Sequence, residues 1–499
     1  MSVKRPSRGC RIRVAVLALA LCAAMPSAAQ DNYFVTSTAP SGPGSLPAAV
    51  AAMQVNGNTQ TLHFSLPADS VITLGADLAE ITGTQVEVIG AATPGLTIDG
   101  NGFRIFRHVG QSLLVRNLIL RNGRSTGAGC LSSNATISTQ VYDTQFLNCR
   151  TDGTLASGSS GGALFSYGSL RLTRTRFVGN QAYDSGTAQL SMGGGAVAVI
   201  GASVLIEDSE FFDNITVRTP GLSGNCADGV GAGLVVELPS GGSATLNGVN
   251  FYQNSHRCGS PAGTISGQGG AISIFGPSSG TAPIFSISRS FFGNNLAFNG
   301  AGIFARAVSL AINNTSFYGN SGTAAGAVFL TTGFGTPPAP ELRLNSSTFH
   351  LNSTANASFG ADLTLNAAAN VRQFRNVLFG APQAGESCAP ASFNADTGDV
   401  VFTTGNSCFV YVGGNLISAQ FAAGTNFGLQ TPEYNGGPVF TMDLAPGSVA
   451  IDNGTNTLCP SGDARDVARP IDGDGNAIAI CDVGALEYQS PLLQDGFES

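Results

Sequence analysis

The sequence predicts an all-β fold built as a solenoid, in which one short unit repeats and each copy packs only on its neighbours. Three observations predict it. The hexad "TSFYGN" (315–320) recurs as "TRFVGN" (175–180), "SEFFDN" (209–214), "VNFYQN" (249–254), "SFFGNN" (290–295) and "STFHLN" (347–352), so Phe is followed three residues later by Asn each time. An aliphatic residue stands five positions before each of these Phe residues: Leu172, Ile206, Leu246, Ile287, Ile312 and Leu344. A glycine-rich patch and a second apolar run follow, as in "GGALFS" (161–166), "GGAVAVI" (194–200), "GAGLVVE" (231–237), "GGAISIF" (269–275) and "GAGIFA" (300–305).

Each element of the unit has a local cause. "SLRLTRTRF" and "ELRLNSSTF" alternate apolar and polar residues with period two, which specifies strands, and the Gly, Ser and Asn between them specify turns. Glycines ahead of the second run suit a tight corner or a positive φ. The same register extends backwards through Val141, Phe146 and Cys149, and before that through Leu114, Ile119 and Asn122, giving about eight turns. From Phe177 onward the Phe-to-Phe spacing runs 34, 40, 41, 25 and 32 residues, so insertions fall in loops while the strand frame stays fixed.

Composition bounds the rest. The 499 residues are 11% charged, with 66 Gly, no Trp and 43% hydrophobic residues, enough apolar content for a core. Residues 1–29 read as a secretion signal, with Lys4, Arg5, Arg8, Arg11 and Arg13 ahead of an apolar run and small residues before Gln30. That run is too short to span a membrane. Removing it leaves 18 basic against 31 acidic residues, a charge of −13 that disfavours nucleic acid and anionic membranes as partners. A secreted or cell-surface location follows, with no transmembrane segment in the mature chain and a monomer expected.

Eight cysteines remain after the signal: Cys130, Cys149, Cys226, Cys258, Cys388, Cys408, Cys459 and Cys481. An even number in an exported chain implies disulfides. Sequence permits about 105 pairings, and clustering favours Cys130–Cys149, Cys226–Cys258, Cys388–Cys408 and Cys459–Cys481, each contributing roughly 3 kcal/mol. Zinc ligation is the alternative, but CxxC spacing is absent and there are only four histidines.

The pairing of FxxN with GGA and an aliphatic run, over residues 111–380, resembles the passenger repeats of polymorphic outer-membrane proteins and, more broadly, right-handed parallel β-helices of the pectin-lyase type. That resemblance implies one coil per repeat, a stacked Phe column inside, and an Asn ladder at a left-handed coil corner. It also implies that Cys149 replaces the ladder Asn of its coil with a disulfide. Coils in register would place Arg174 between Asp143 and Asp208, and Arg176 beside Glu210. Residues 34–53, "FVTSTAPSGPGSLPAAVAAM", look like the N-terminal cap of exported β-helix proteins, with a short helix begun by Ser45 that lays Leu46, Val50 and Met53 on one face. Residues 428–488 are similar to the C-terminal domain called choice-of-anchor Q, carrying NGG, Ser-x-Ala-Ile-Asp-x-Gly, Arg-Pro and Cys-Asp-x-Gly-Ala-x-Glu. The organisation expected is a signal (1–29), an N-terminal cap and first coils (30–110), regular repeats (111–380), last coils and a disulfide-stapled C-terminal cap (381–490) and a tail (491–499). The barrel anchor of autotransporters is not expected.

Function is less constrained. The pectin-lyase fold hosts polysaccharide lyases and hydrolases, but the Asn-Thr-Asp, Asp-Asp, Gly-His-Gly and Arg-Ile-Lys signatures of the hydrolases are missing. No catalytic residue is assigned. His63, His108 and His256 stand in cap or loop contexts and His350 at a free position of an FxxN coil, all with structural or solvent-facing roles. Glu207, Asp208, Glu210 and Asp213 offer a carboxylate pair for glycoside chemistry, opposed by Arg174 and Arg176. "DGDGN" (472–476) fails as an EF-hand loop, because Ala477 and Val483 stand where Gly and Glu are needed. An acidic surface turn is one reading, and calcium held by Asp472, Asp474 and Asp482 is the other; no further cofactor is expected. The leading expectation is an adhesin-like module that binds a protein or glycan through its coil faces and the loops at 182–192 and 331–341. The alternatives are a polysaccharide lyase or hydrolase and a purely structural envelope protein.

Overall fold

The computed structural model describes residues 30–489 apart from 54–57, 92–94, 154–158, 185–191, 219–229, 334–338, 367–368, 406 and 426. The signal, the tail and Cys226 therefore lie outside the described residues, as does much of both long loops.

Each coil carries up to four strands. One coil runs through Ser203–Glu207, Glu210–Phe212, Ile215–Arg218 and Leu234–Glu237 before the next begins at Ser243–Asn247. The corresponding strands of successive coils pair in parallel, forming four long sheets of 15, 13, 9 and 10 strands, here called faces 1 to 4 in coil order. The chain is a right-handed parallel β-helix, the hand that parallel β crossovers take. Period-two alternation turns one residue set inward: Leu172, Ile206, Leu246, Ile287, Ile312 and Leu344 pair in register along face 1 and are buried.

On face 2 the Phe residues form the expected column. Phe146, Phe177, Phe211, Phe251, Phe292, Phe317, Phe349 and Phe379 stack with ring centroids 4.6 to 5.1 Å apart. The spacing is that of neighbouring strands, so one ring per coil fills the core without a gap.

The Asn ladder is also present. Asn180, Asn214, Asn254, Asn295 and Asn320 each donate from Nδ2 to Oδ1 of the next Asn at 2.9 to 3.0 Å, ending on Asn352. Each ladder Asn backbone N–H donates to the same oxygen, and each Nδ2 also donates to a Phe carbonyl one coil back. Cys149 stands at the ladder's start, bonded to Cys130, and its backbone N–H donates to Asn180 Oδ1. The left-handed residue is not the ladder Asn, however. It is the residue before, Gly179, Asp213, Gln253, Asn294, Gly319 or Leu351, which turns the chain so that the Asn side chain points inward.

The early register differs by one residue. Val115 and Leu120 pair with Val141 and Phe146, so Leu114 and Ile119 face outward and Asn122 is a left-handed corner residue. A one-residue slip exchanges the two sides of a strand, and both choices there are aliphatic, which hides the register in the sequence.

The helix spans Leu46–Ala52, with Ser45 Oγ accepting from the Ala48 N–H and with Leu46, Ala49 and Val50 buried. Met53 closes it and is buried too. Cys130–Cys149, Cys388–Cys408 and Cys459–Cys481 are bonded as expected, and Cys258 is disulfide-bonded.

Residues 427–488 are stapled as expected and run back along face 2. Ala485 N–H donates to Thr348 Oγ1, Arg469 donates to Asn314 Oδ1, Asn250 binds the backbone of Pro438 and Phe440, and Tyr434 reaches Glu210. We call this segment the strap.

Candidate functional site

The outward side of face 4 carries a cleft of about 440 Å³, bounded by Arg104, Arg107, Ser125, Ser132, Asn134 and Tyr167. A second cleft of about 320 Å³ shares Tyr167 and Ile200 with it and continues to Pro239 and Pro277. Together they form a groove crossing several coils. Strand alternation sends Leu164 and Ser166 into the core and leaves Phe165 and Tyr167 outside, the latter 53% exposed. Arg104 donates to Leu78 O at 3.1 Å, and its buried Nε has no partner. Arg107 pairs with Glu80 at 2.9 Å. Two guanidinium groups, hydroxyls and an amide around an aromatic ring make a donor-rich surface in an acidic chain.

The four histidines are not assembled. His63 lies on face 1, His350 on face 2, His256 on face 3 and His108 on face 4, and all four are in strands, including the three expected in caps or loops. His63 stacks on Phe34 and contacts Asn32 Oδ1 at 2.8 Å. Burial holds His108 below the usual imidazole range, pushes His256 down to about 3 with Arg218 adding repulsion, and pushes His350 down to about 4. Three buried neutral imidazoles on separate faces make no acid–base pair.

Two carboxylates of the 207–213 coil, Glu207 and Glu210, are engaged. Glu207 binds Arg171 at 3.0 Å, and Glu210 takes Arg176 Nε at 2.6 Å while its other oxygen accepts from Tyr434. Arg174 forks onto Asp143 at 2.6 and 2.9 Å, with Asp208 acting on it only through its charge. The expected in-register charge pattern is thus present, with Arg174 committed to one side. Asp213 is a left-handed corner residue whose carboxyl is held above its usual range by burial.

In the strap, Asp472 and Asp474 come together with Asp452, their ligand atoms within 4.8 Å of one another; Asp482 is not in that group. Asp472 accepts from the backbone N–H groups of Gly475, Asn476 and Ala477, and Asp452 from those of Gly473, Asp474 and Ile480. These bonds fold an acidic turn. Asp482 instead accepts from the backbone N–H groups of Asp452 and Tyr488 in the strap interior.

The remaining motif residues of the strap form one buried ionic network. Arg469 pairs with Glu487 at 2.7 Å, both side chains fully buried, and donates to the carbonyls of Asp482 and Gly484. Arg465 pairs with Asp463 at 2.7 Å and reaches Asp443. Two carboxylates, Asp482 and Glu487, share the neighbourhood of Arg469, and burial with Glu487's charge raises Asp482 to about 7. The motif charges therefore lock the strap's own fold. Sequence reasoning did not find the docking positions Asn250, Asn314 and Asn376. The available signal was an Asn outside the FxxN ladder at each of them.

No protein-family model and no curated protein matches the chain. Among solved structures, the pectate lyase Pel9A is similar at a TM-score of 0.38 and 12% identity, covering 93% of this chain and 97% of that one. Likeness at that level carries no argument about activity, and the fold assignment rests on the strand pairings above.

Proposed function

We propose that this chain is an exported, adhesin-like β-helix that binds an extended protein or glycan ligand without chemically altering it. The observation that carries this reading is the donor-rich groove of face 4, which runs along the solenoid axis and presents Tyr167 to solvent. The burial of His108, His256 and His350 on separate faces and the engagement of the Glu207 and Glu210 carboxylates support binding over catalysis. The resemblance of the repeats to polymorphic outer-membrane protein passengers, and of the strap to choice-of-anchor Q domains, supports a surface-associated or secreted role. Calcium at the Asp452, Asp472 and Asp474 turn is kept as an optional ligand of the strap.

The test uses purified residues 30–499 with a panel of immobilised and soluble polysaccharides and surface-protein extracts, with and without calcium. Retention without shortening of the chains is expected, weakened about tenfold by Tyr167→Ala. New, shorter chains overturn the non-catalytic reading. Retention unaffected by Tyr167→Ala removes the groove from it.

A further inference from the structure

The geometry points to a second binding pocket, for a single neutral pyranose ring, where the strap meets face 2. It lies on a different face from the groove and stands whether or not that groove takes a ligand. Val178, Phe212 and Tyr252 occupy one outward column of face 2, each one coil from the next. Phe212 and Tyr252 stack with centroids 5.8 Å apart and planes 8° from parallel. The strap lays Phe440 against Tyr252 at 5.9 Å, and Tyr434 packs on Phe440 at 4.2 Å.

Both strap rings are fixed from the coil side. Asn250 Oδ1 accepts from the Phe440 N–H at 3.0 Å, and the Tyr434 hydroxyl donates to Glu210 Oε1 at 2.9 Å. Between them remains a cavity of about 270 Å³, walled by Phe212, Tyr252, Tyr434 and Phe440 and rimmed by Arg176 and Glu210. Tyr252 and Phe440 are half-buried, but Phe212 and Tyr434 stay 37% and 52% exposed. Aromatic rings at the mouth of a preformed cavity, held in place by hydrogen bonds, mark a surface whose apolar faces are covered only when something enters.

The chemistry of the rim selects the occupant. Arg176 and Glu210 neutralise each other at 2.6 Å, so the pocket has no net charge with which to hold an ion. The Arg176 Nε is taken by Glu210, while the guanidinium as a whole carries five donors in a fixed fork. Glu210 adds acceptor capacity. A pyranose ring meets both requirements: its axial C–H face packs on an aromatic ring, and its equatorial hydroxyls accept from an arginine and donate to a carboxylate. A flat apolar ligand would leave the ion pair desolvated with nothing added to it, which is costly. One ring in one pocket binds weakly, with a dissociation constant on the order of 1 mM.

Saturation-transfer NMR on folded residues 30–499 tests this, with the methyl β-glycosides of glucose, galactose and N-acetylglucosamine as neutral probes and methyl glucuronide as the charged one. At least one neutral glycoside is expected to receive saturation, mostly at its ring C–H protons, with about a tenfold loss in Phe212→Ala and a smaller loss in Arg176→Met. Ile284→Ala, at an exposed position of face 1, leaves the signal unchanged. Phe212 points outward, and far-UV circular dichroism of the variant confirms that the coil stack is intact. No transfer to any neutral glycoside at about tenfold above the expected dissociation constant overturns the proposal. So does transfer confined to the glucuronide, or a signal indifferent to Phe212→Ala.

Discussion

The coil stack and the strap solve the same problem in opposite ways. From the coil of Phe177 to that of Phe349, each coil makes the same neutral contacts with its neighbour: one Phe ring on the next, one Asn amide on the next, one aliphatic side chain on the next. Stability is thereby spread over many equal interfaces. The strap has no repeat to lean on. Its described strand pairing is limited to the isolated bridges Leu429–Leu444, Glu433–Thr441 and Gly462–Ala468, and its interior is organised by Arg465, Arg469, Asp463 and Glu487. Such buried ions give little net stability but exclude other arrangements, because any misplacement leaves a charge unpaired. A repeated surface can be specified cheaply by apolar matching, whereas a single docking event needs direction.

The sharpest way to break this comparison is to remove one ring from the middle of the column. Phe251→Ala should cost about 3–5 kcal/mol, measured by chemical denaturation, with the loss centred on the coils that contribute Phe211 and Phe292. Arg469→Met should cost a similar 3–5 kcal/mol, because Glu487 and Asp482 stay buried without their cation. Its location should differ: amide exchange should rise across 427–488 while residues 140–360 keep their protection. If exchange rises equally in both regions, the strap is part of the stack's cooperative unit and the contrast fails.

Acid titration separates the two regions more gently. The last ladder residue, Asn352, donates in turn to Asp362 Oδ1 at 2.9 Å. The Asp362 Oδ2 lies beside the buried Ser387 hydroxyl, which with Asn352 favours the charged form against the larger cost of burial. Burial lifts the Asp362 carboxyl from 3.8 to about 7, and Asp482 in the strap to about 7. A raised folded-state value means that the folded chain holds a proton that the unfolded chain has released. The associated stability is full below about pH 3.8, falls as pH rises to about 7, and is flat above. The depressed values of His108, His256 and His350 act in the opposite sense, adding stability as pH rises to 6.5. Asp362→Asn should therefore gain on the wild type steadily between about pH 4 and 7 in thermal melts of the stack. Asp482→Asn should show the same trend in strap exchange, reduced by the loss of one acceptor for the Asp452 and Tyr488 N–H groups. A difference independent of pH would mean that these carboxyls titrate normally.

The same contrast governs what could be read in the sequence. The Phe column, the ladder and the face 1 aliphatics were legible because six near-copies fix a register that one copy cannot. Where the copies decay, the reading slipped by one residue, choosing Leu114 and Ile119 over Val115 and Leu120. The strap's motif was visible as letters, but the sequence carries no sign that Arg469 and Glu487 meet in its interior. Nor does it carry one that Asn250, Asn314 and Asn376 receive it. Asp452, twenty residues before Asp472, was missed for the same reason: the turn is assembled by the fold. The groove on face 4 requires knowing which side of each strand faces out, and Phe165 and Tyr167 read equally well as core until their neighbours Leu164 and Ser166 are placed.

The smallest expected effect concerns the outer ion pairs, where repetition brings opposite charges into register without burying them. Arg174 makes two short bonds to Asp143, the best geometry of the exposed set, yet both side chains remain more than a third exposed. Solvent screening and the entropy of two mobile side chains should hold the pair to about 0–1 kcal/mol. Arg174 also occupies a left-handed corner, φ 51°, so Arg174→Ala would mix lost charge with backbone strain. Arg174→Asn is the cleaner change, since Asn accepts that conformation readily and keeps a short polar side chain. Denaturant midpoints should move little, and less still in 1 M salt than in dilute buffer. A loss of several kcal/mol that persists in salt would mean that outer charges, not the column and ladder, set the register of neighbouring coils.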